Sequence, residues 1–485
     1  MDAIDPWDWF FTYWPYVFTV TTSVISLFAV GHAILWKRDV RSSLGWSGLI
    51  ILSPGIGALL YFFFGINRVK RKAIALRTIK ERLPYGLSRF AIEPEEVGAH
   101  FPQHRDTLQQ IGSAVSFVTH RPLLRGNKID VLINGEEAYP AILKAIHEAK
   151  RSITLATYIF DSDKLGISIV DALVLAQSRG VEVRVLIDAV GARYSYPSVQ
   201  RLLRKRGVAV SLFIPLRNIT VFNLRTHRKI VVVDGEIGFT GGMNFRQNHF
   251  LEAPSKMPTA DVHFRLEGPI VSQLQEVFAE DWVFSTGEVL QGPLWFRAVE
   301  LRGAVIARGI ADGPDENLHA MALTLQAAIA VAKKKIRIVT PYFVPDNQLL
   351  TALGVAAARG IEVDIVIPAV INLRMVQWAC WAELWQVISF GCRVWLSPAP
   401  FDHSKLMTVD GIWSTVGSTN WDQRSLRLNF EFNIEAYDSG LASKLDQLID
   451  ARIARARRLS LGELQGRPLI TRLRDGVARL MTPYL

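Results

Sequence analysis

The sequence predicts an α/β protein in which N-terminal transmembrane helices are followed by two duplicated α/β halves. Three observations lead to this fold class. The first 66 residues contain two long uncharged runs, the rest of the chain repeats a helix–glycine–strand pattern, and each repeat carries the same polar motif. Strands that alternate with helices form sheets buried between helical layers. The 485 residues have the length of about three domains.

Composition and charge limit the classes of partner. Hydrophobic residues make up 49% of the chain, and the mean hydropathy of +0.19 argues against a disordered protein. The net charge of +10 favours an anionic partner, namely nucleic acid, anionic lipid or a phosphorylated substrate. Because Cys380 and Cys392 are the only cysteines, a disulfide scaffold and a cysteine-rich metal site are excluded.

The two uncharged runs cover residues 13–36 and 44–66 and contain no Asp, Glu, Lys or Arg. A membrane-spanning helix needs about 20 apolar residues, so both runs are long enough. The first twelve residues are acidic and lack the basic start of a cleaved signal peptide. We therefore predict that residues 1–70 form a retained membrane anchor with two hydrophobic segments.

The second run is interrupted by the sequence Ser53-Pro54-Gly55-Ile56-Gly57, which breaks or kinks a helix. Both a kinked span and a re-entrant segment fit this interruption. A basic cluster follows at residues 68–80. In both arrangements the positive-inside rule places the remainder of the chain in the cytoplasm. Residues 71–126 are predicted to be a basic linker beside the membrane.

The remainder of the chain is duplicated. Residues 149–160 match 332–343, and residues 178–187 match 358–367. Each match is a helix end followed by an apolar strand, and Gly180 and Gly360 mark the helix stops. A repeat of about 180 residues means a duplicated domain rather than an array of short repeats. We place the two halves at residues 127–295 and 296–485.

Each half carries one further motif, and the two copies are 176 residues apart. The intervening residues of each motif make it a core strand, and a spacing of two puts its His and Lys on one face. Polar residues there need a functional reason. The shared positions are His227, Lys229, Asp234 and Asn244 in the first half, and His403, Lys405, Asp410 and Asn420 in the second.

These residue types fit phosphoryl chemistry. Lysine and asparagine donors that converge on one point bind an anionic phosphoryl group. One neutral histidine can attack phosphorus, while the other, protonated, gives its proton to the leaving alkoxide. The two lysines supply the positive charge, so we expect neither a metal nor another cofactor.

The doubled His-x-Lys-(x)4-Asp pattern resembles the phospholipase D superfamily. The N-terminal runs and the sequences of residues 342–346 and 420–425 are similar, more narrowly, to bacterial cardiolipin synthases. The resemblance implies two fused phospholipase D-like sandwich halves that share one active site. It implies a multi-pass protein of the bacterial inner membrane with a cytoplasmic catalytic part. It also implies conversion of two phosphatidylglycerols into cardiolipin and glycerol through a phosphohistidine.

The resemblance also implies roles for the motif residues. His227 corresponds to the nucleophile and His403 to the general acid, although the two motifs by themselves leave this order open. Asp234 and Asp410 match the acid of the catalytic motif, which in this family is mainly structural or orienting. The phosphate-binding positions correspond to Lys229, Lys405, Asn244 and Asn420, with Ser418 as a further candidate.

A nucleophilic histidine needs a carboxylate on its other nitrogen to fix the tautomer. Glu431 lies eleven residues after Asn420, a spacing that resembles the family's acid. Asp261 is the candidate in the first half. The alternative for each is an ordinary surface or ion-paired acid.

Several positions depart from the synthase pattern, among them Asp402, Ser404, Asn372 and residues 245–249. Because the catalytic residues are all present, these departures bear on which donor and acceptor lipids the protein uses rather than on the reaction. We interpret His249 and His263 as structural histidines. The tryptophans at 378, 381 and 385 share one helix face, which suits a core or a lipid headgroup region. The basic C-terminal tail suits either a solvated or an interfacial helix.

Three other functions were weighed. A hydrolytic phospholipase D would use the same residues with water as acceptor. A nuclease of the superfamily would use the basic charge for DNA, but the membrane anchor argues against a nucleic-acid partner. A membrane scaffold with a decayed site is disfavoured because every motif position is present in both halves. Phosphatidylglycerol and the membrane are thus the expected partners.

Overall fold

The structure is a computed structural model that describes residues 6–37, 40–66, 87–214, 224–253, 255, 257–298, 300–314 and 319–482. These residues belong to an N-terminal unit and a larger body. The predicted topology depends on Arg38 and on the basic cluster at residues 68–80, which lie outside the described residues.

The N-terminal unit contains one long helix and a broken one. Among the described residues, only the long helix, over residues 10–36, is long and apolar enough to cross a membrane. The second run breaks at residues 53–55, as its proline and glycine predict. The helices are α1 (Pro6–Trp36), α2 (Val40–Leu52) and α3 (Ile56–Leu60), with a π-helical turn at Tyr61–Gly65.

The body consists of sheets between helices. Its strands are β1 (Ala91–Ile92), β2 (Leu123–Ile133), β3 (Ser152–Thr157), β4 (Glu182–Asp188), β5 (Ala209–Phe213), β6 (Arg225–Thr226), β7 (Ile230–Val233), β8 (Ile237–Gly241), β9 (Thr259–Ala260), β10 (Val262–Glu267), β11 (Val305–Asp312), β12 (Lys335–Val339), β13 (Phe343–Val344), β14 (Glu362–Pro368), β15 (Arg393–Ser397), β16 (Phe401–Asp402), β17 (Leu406–Val409), β18 (Trp413–Gly417), β19 (Trp421–Asp422), β20 (Asn429–Tyr437) and β21 (Arg457–Leu459). Its α-helices are α4 (Pro94–His100), α5 (Arg105–Thr119), α6 (Asn134–Glu148), α7 (Lys164–Ser178), α8 (Val199–Lys205), α9 (Ile270–Thr286), α10 (Ala320–Val331), α11 (Asn347–Ala358), α12 (Arg374–Ile388), α13 (Gln423–Arg427), α14 (Ser439–Ile453), α15 (Leu461–Gln465) and α16 (Leu469–Leu480).

The two halves have the same sheet order. The first runs β5-β4-β3-β7-β8-β10-β2 and the second β15-β14-β12-β17-β18-β20-β11. In each order the first three strands are parallel and the rest antiparallel. The antiparallel pairing of β2 with β11 joins the halves. This order confirms the predicted duplicated α/β fold.

The matched helix–glycine–strand segments fold alike. Gly180 and Gly360 have φ of 87° and 89°, a left-handed conformation that suits glycine at a helix end. The preceding Arg179 and Arg359 donate to carbonyls at the end of a neighbouring helix. The turn from the helix into the buried parallel strand therefore has the same glycine and the same arginine contact in both halves.

Part of the region predicted to be a basic linker belongs to the folded body. Helices α4 and α5 bury Val97, Leu108 and Ile111 in the hydrophobic core of the second half. Strand β1 extends the sheet by pairing with β2. The amphipathic pattern of α5 explains this burial, because its apolar residues line one face.

Candidate active site

Two short parallel strand pairs bring the motifs together. The β6 strand, which precedes His227, pairs with the start of β20 in the other half. The β16 strand, which precedes His403, pairs with β9 in the first half. The backbone N–H of His227 then donates to the Phe430 carbonyl at 2.8 Å, and that of His403 to the Ala260 carbonyl at 2.7 Å. Each histidine therefore lies beside the residue that follows its carbonyl partner in the opposite half.

Those neighbouring residues are the two predicted carboxylates, and they are exchanged between the halves. Nδ1 of His227 lies 3.1 Å from Oε2 of Glu431. Nδ1 of His403 lies 2.9 Å from Oδ2 of Asp261. Both carboxylates are fully buried. With Nδ1 donating to an ionised carboxylate, each ring presents the lone pair of Nε2 for chemistry.

The two imidazoles face one cavity of about 290 Å³. Their ring centroids are 6.5 Å apart and their planes are nearly perpendicular, at 79°. Tyr158 packs against His227 at 5.3 Å, and Tyr342 against His403 at 6.3 Å. Both tyrosines lie in the sequence segments that match between the halves, but those matches do not predict a position beside the histidines.

The two motif lysines are buried next to the histidines. Nζ of Lys229 donates to the His227 carbonyl at 2.6 Å, and Nζ of Lys405 donates to the His403 carbonyl. Burial lowers the pKa of Lys229 to about 7 and the pKa of Lys405 to about 8. The charge of Lys405 also lowers the pKa of Lys229, while the buried carboxylates act to raise the pKa of both lysines. An anion that enters the site would favour the charged forms of the lysines in the same way.

The four groups of the dyads respond to this environment differently. Burial lowers the pKa of His227, against the opposing effect of Glu431, and lowers the pKa of His403 well below its ordinary value. Burial raises the pKa of Asp261. Burial also acts to raise the pKa of Glu431, but His227 and its other polar neighbours outweigh it and hold that pKa below its ordinary value. The environment thus favours the ionised form of Glu431 and disfavours the ionised form of Asp261.

The predicted phosphate-binding residues occupy two kinds of position. Asn244 and Asn420 line the cavity. Oδ1 of Asn244 accepts the Ile159 N–H at 3.1 Å, which orients the amide so that its NH2 group can donate to a ligand. Ser418 is fully buried, and its hydroxyl donates to Oε2 of Glu431 at 2.5 Å. We therefore interpret Ser418 as a residue that positions Glu431 behind the histidine.

The motif aspartates lie at the far end of the motif strands from the histidines. The Asp234 carboxylate accepts the backbone N–H groups of residues 150–152, where β3 begins. The Asp410 carboxylate accepts those of residues 333–335 before β12. These contacts give both aspartates a structural position, in line with the orienting role that the resemblance implies.

The unusual residues around His403 form their own buried network. The Asp402 carboxylate accepts the Ser404 hydroxyl at 2.6 Å and is ion-paired with Arg452 at 2.5 Å. Burial acts to raise the pKa of Asp402, but Arg452 and Ser404 outweigh it and the pKa lies below its ordinary value. Helix α14, which carries Arg452, is thereby tied to the motif. The sequence analysis missed Arg452 as the partner that makes this departure stable.

Two further histidines near the first motif, His249 and His263, are buried, and His249 also lines the cavity. Nδ1 of His249 lies 3.2 Å from the Thr259 carbonyl. Burial lowers the pKa of His249 to about 3 and that of His263 to about 4. Neutral buried rings fit the structural interpretation. Within the described ranges, no group of three or more His, Cys, Asp or Glu side chains is placed to hold a metal ion.

Fold and site together define a phospholipase D-like enzyme with two fused halves. Comparison with known proteins agrees. The family described as "Cardiolipin synthase, PLD-like domain" matches residues 142–282 and 325–453, and "Phospholipase_D-nuclease N-terminal" matches residues 24–65. The chain belongs to the family of cardiolipin synthases with phospholipase D-like domains.

Individual relatives cover the whole chain. The chain is 30% identical over 477 residues to "Cardiolipin synthase A" of Pseudomonas putida KT2440, which covers 97% of this chain and 98% of that protein. It is 31% identical over 484 residues to "Major cardiolipin synthase ClsA" of Bacillus subtilis 168, with 96% and 100% covered. The fold resembles the crystal structure of a phosphatidylserine synthase from Haemophilus influenzae, with a TM-score of 0.61, 17% identity, and coverage of 78% of this chain and 100% of that one.

Proposed function

We propose that this chain is a membrane-bound phosphatidyltransferase that makes cardiolipin and glycerol from two phosphatidylglycerols through a phosphohistidine. The observation that carries the proposal is the pair of exchanged histidine–carboxylate dyads facing one cavity, at 3.1 Å and 2.9 Å. Two equivalent imidazoles suit a reaction in which one group is bonded to phosphorus while the other moves a proton. The names of the relatives supply the substrate class.

In the first step, Nε2 of His227 attacks the phosphorus of the donor lipid and displaces glycerol. A P–N bond forms, the P–O bond to glycerol breaks, and His403 gives its proton to the leaving oxygen. Positive charge develops on the attacking ring, and the ionised Glu431 stabilises it. The carboxylate whose ionised form the environment favours therefore supports His227 as the nucleophile.

The general acid must carry a proton although burial lowers the pKa of His403. The neighbouring Lys405 and Lys229 contribute to that lowering. A bound phosphodiester carries a negative charge that offsets these lysines, so its arrival raises the affinity of His403 for a proton. Substrate binding and protonation of the acid are thereby coupled.

We place one surface of the body against the membrane. Helix α16 exposes an apolar face, and its residues Leu469, Leu473 and Val477 are 57–70% exposed. Arg472 and Arg479 on the same helix border a groove of about 500 Å³ shared with α12. An exposed apolar face flanked by arginines suits an anionic bilayer.

The end of this helix leads to the site. Thr482, two residues beyond α16, lines the cavity that holds the histidines. On α12, Trp378 and Trp381 stack with Arg474 and Arg467, with the guanidinium carbons 4.5 and 5.0 Å from the ring centroids. Trp385 is 49% exposed beside them. The aromatic face predicted for α12 therefore packs against α16 and also borders the proposed lipid surface.

We further propose a bacterial inner-membrane protein with a cytoplasmic body and with both uncharged runs in the bilayer. The larger basic cluster after the second run supports this side. The basic residues between the two runs oppose two full spans and fit a re-entrant second run. Labelling of a cysteine placed before α1 in intact cells tests the topology. Protection in the cytoplasm fits two spans, whereas external labelling fits one span and a re-entrant second run.

The decisive test is incubation of the purified full chain with phosphatidylglycerol vesicles, followed by lipid and glycerol analysis. Cardiolipin and glycerol in equal amounts are expected. Phosphatidic acid without cardiolipin would identify a hydrolase instead.

Histidine variants test the mechanism in the same assay. His227→Ala and His403→Ala should each abolish turnover, while His147→Ala, the same change on an exposed surface of α6, should not. Substantial activity in either site variant would contradict the two-histidine mechanism.

A further inference from the structure

The centre of the cavity is symmetric, but its rim is not. The histidines, the Asn244–Asn420 pair and the tyrosines have counterparts in both halves. Applying the same offset of 176 residues to the rim gives unlike residues. Arg225 corresponds to Phe401, and Arg424 corresponds to Asn248. All four of these rim residues line the cavity, so the two arginines have no arginine counterparts at this offset. A further cavity-lining arginine, Arg246, is ion-paired with Asp161 at 2.6 Å.

The two arginines are positioned by the backbone that builds the site. Arg225 precedes His227 by two residues and pairs with Asn429 across the β6–β20 register. Arg424 lies in α13, whose N-terminal cap is Asp422, two residues after the cavity-lining Asn420. Burial lowers the pKa of Arg424, and the nearby positive charge of Arg225 lowers that pKa further.

Two carboxylates near this pair, Asp188 and Asp422, accept backbone N–H groups and also interact with the arginines, whose charges act to lower the pKa values of both carboxyl groups. Asp188 accepts the N–H groups of Thr226 and Gly191 at 2.9 and 3.0 Å. Asp422 accepts the Ser425 N–H at 2.6 Å as the helix cap, and burial raises the pKa of Asp422 to about 6. Two adjacent guanidiniums on a cavity wall form a fork that matches the oxygens of a phosphodiester.

Transfer to a second phosphatidylglycerol requires a binding site for a second phosphodiester, whereas hydrolysis by water does not. The acceptor lipid carries its own phosphate, one glycerol unit away from the hydroxyl that attacks. We propose that Arg225 and Arg424 bind the phosphodiester of the acceptor lipid during the second step. This inference rests on the proposed function and adds the acceptor subsite to it.

The step balances as follows. The acceptor's glycerol oxygen bonds to phosphorus as the P–N bond to His227 breaks, and the hydroxyl proton passes to His403. The rim arginines take no proton and form no bond. They hold the acceptor so that its hydroxyl, rather than water, reaches the phosphohistidine.

The test compares two acceptors for the same phosphohistidine, phosphatidylglycerol, which is charged, and glycerol, which is not. Full-length protein is incubated with phosphatidylglycerol vesicles and labelled glycerol. Transfer to phosphatidylglycerol gives cardiolipin, and transfer to labelled glycerol gives labelled phosphatidylglycerol. Arg225→Gln and Arg424→Gln should lower the ratio of cardiolipin formation to glycerol exchange by about tenfold. Arg424→Lys, which keeps the charge, should restore part of it. Arg201→Gln, the same change at an exposed position of α8, should leave the ratio as in the wild type.

The outcomes are distinguishable. Equal loss of both rates in the Gln and Lys variants, with unchanged thermal unfolding, would overturn the acceptor role and assign the arginines to the donor. An unchanged ratio would also overturn it while leaving the transferase intact. Wild-type protein that exchanges glycerol but forms no cardiolipin would overturn both the subsite and the proposed function.

Discussion

The exchanged dyads predict that the two buried carboxylates have different kinetic roles. Glu431→Gln keeps the size of the side chain but removes the charge behind His227, and Asp261→Asn does the same behind His403. If His227 is the nucleophile, the first change should weaken attack on phosphorus. The second change should weaken proton donation to the leaving group.

The size of the effect follows from the contacts. Nδ1 of His227 is 3.1 Å from a fully buried carboxylate, and Nδ1 of His403 is 2.9 Å from another. A hydrogen bond to a charged group contributes about 1.5–3 kcal/mol. Each variant should therefore turn over phosphatidylglycerol roughly 10- to 150-fold more slowly.

A donor that needs no general acid separates the two roles. The p-nitrophenyl ester of phosphatidic acid has a leaving group that departs without a proton. In a single turnover, release of p-nitrophenol by Asp261→Asn should recover to within about threefold of the wild type. Glu431→Gln should stay slow with both donors, because attack by His227 is still required.

The reverse pattern, with recovery in Glu431→Gln, would assign the nucleophile to His403. Equal impairment of both variants with both donors would refute the idea that the dyads are differentiated. Glu148→Gln, the same substitution at a carboxylate that is 63% exposed on α6, is the matched control and should behave as the wild type.

Three further predictions follow from other parts of the structure. Asp234→Ala should lower the free energy of unfolding by about 1–3 kcal/mol at an unchanged KM, and a raised KM without loss of thermal stability would contradict its structural position. The value of kcat/KM should fall as pH rises through about 7 to about 8, since Lys229 and Lys405 of the free enzyme lose their charge there; a flat profile over this range would refute it. A polarity-sensitive dye on Val477→Cys should shift to shorter wavelengths with anionic vesicles, while the dye on Lys444→Cys of α14 should not, and the two native cysteines are buried. Equal shifts at both sites would contradict the membrane contact of α16.

The fold could be predicted because the duplication is visible in local sequence patterns. The same helix ends, glycine stops and apolar strands occur in both halves, and each of these features depends on residues that are neighbours in sequence. The break in the second uncharged run was predictable for the same reason, since Pro54 and Gly55 act locally. Burial of residues 87–119 depends instead on the second half, so the sequence alone, with the basic cluster at residues 68–80 just before them, predicts a linker there.

The composition of the site was predictable, but its pairing was not. The spacing of Glu431 from Asn420 resembles that of the family's acid and makes Glu431 a candidate, and Asp261 is the candidate in the first half. Which histidine each one contacts is decided by the β6–β20 and β16–β9 pairs, whose partners are about 200 and 140 residues apart in sequence. Ser418 was grouped with the phosphate ligands because it lies two residues before Asn420. Its orientation toward Glu431 depends on the fold of the second half.

The exchange of carboxylates also explains why two halves are joined in one chain. Because each dyad takes its histidine from one half and its acid from the other, neither half alone contains a complete dyad. Two identical copies could supply both dyads by symmetry, but their rims would then be identical too. A reaction that binds a donor and an acceptor with different positions needs unlike rims. Fusion of the halves permits Arg225 and Arg424 on one side to stand opposite Phe401 and Asn248 on the other, while the catalytic centre keeps its two-fold arrangement.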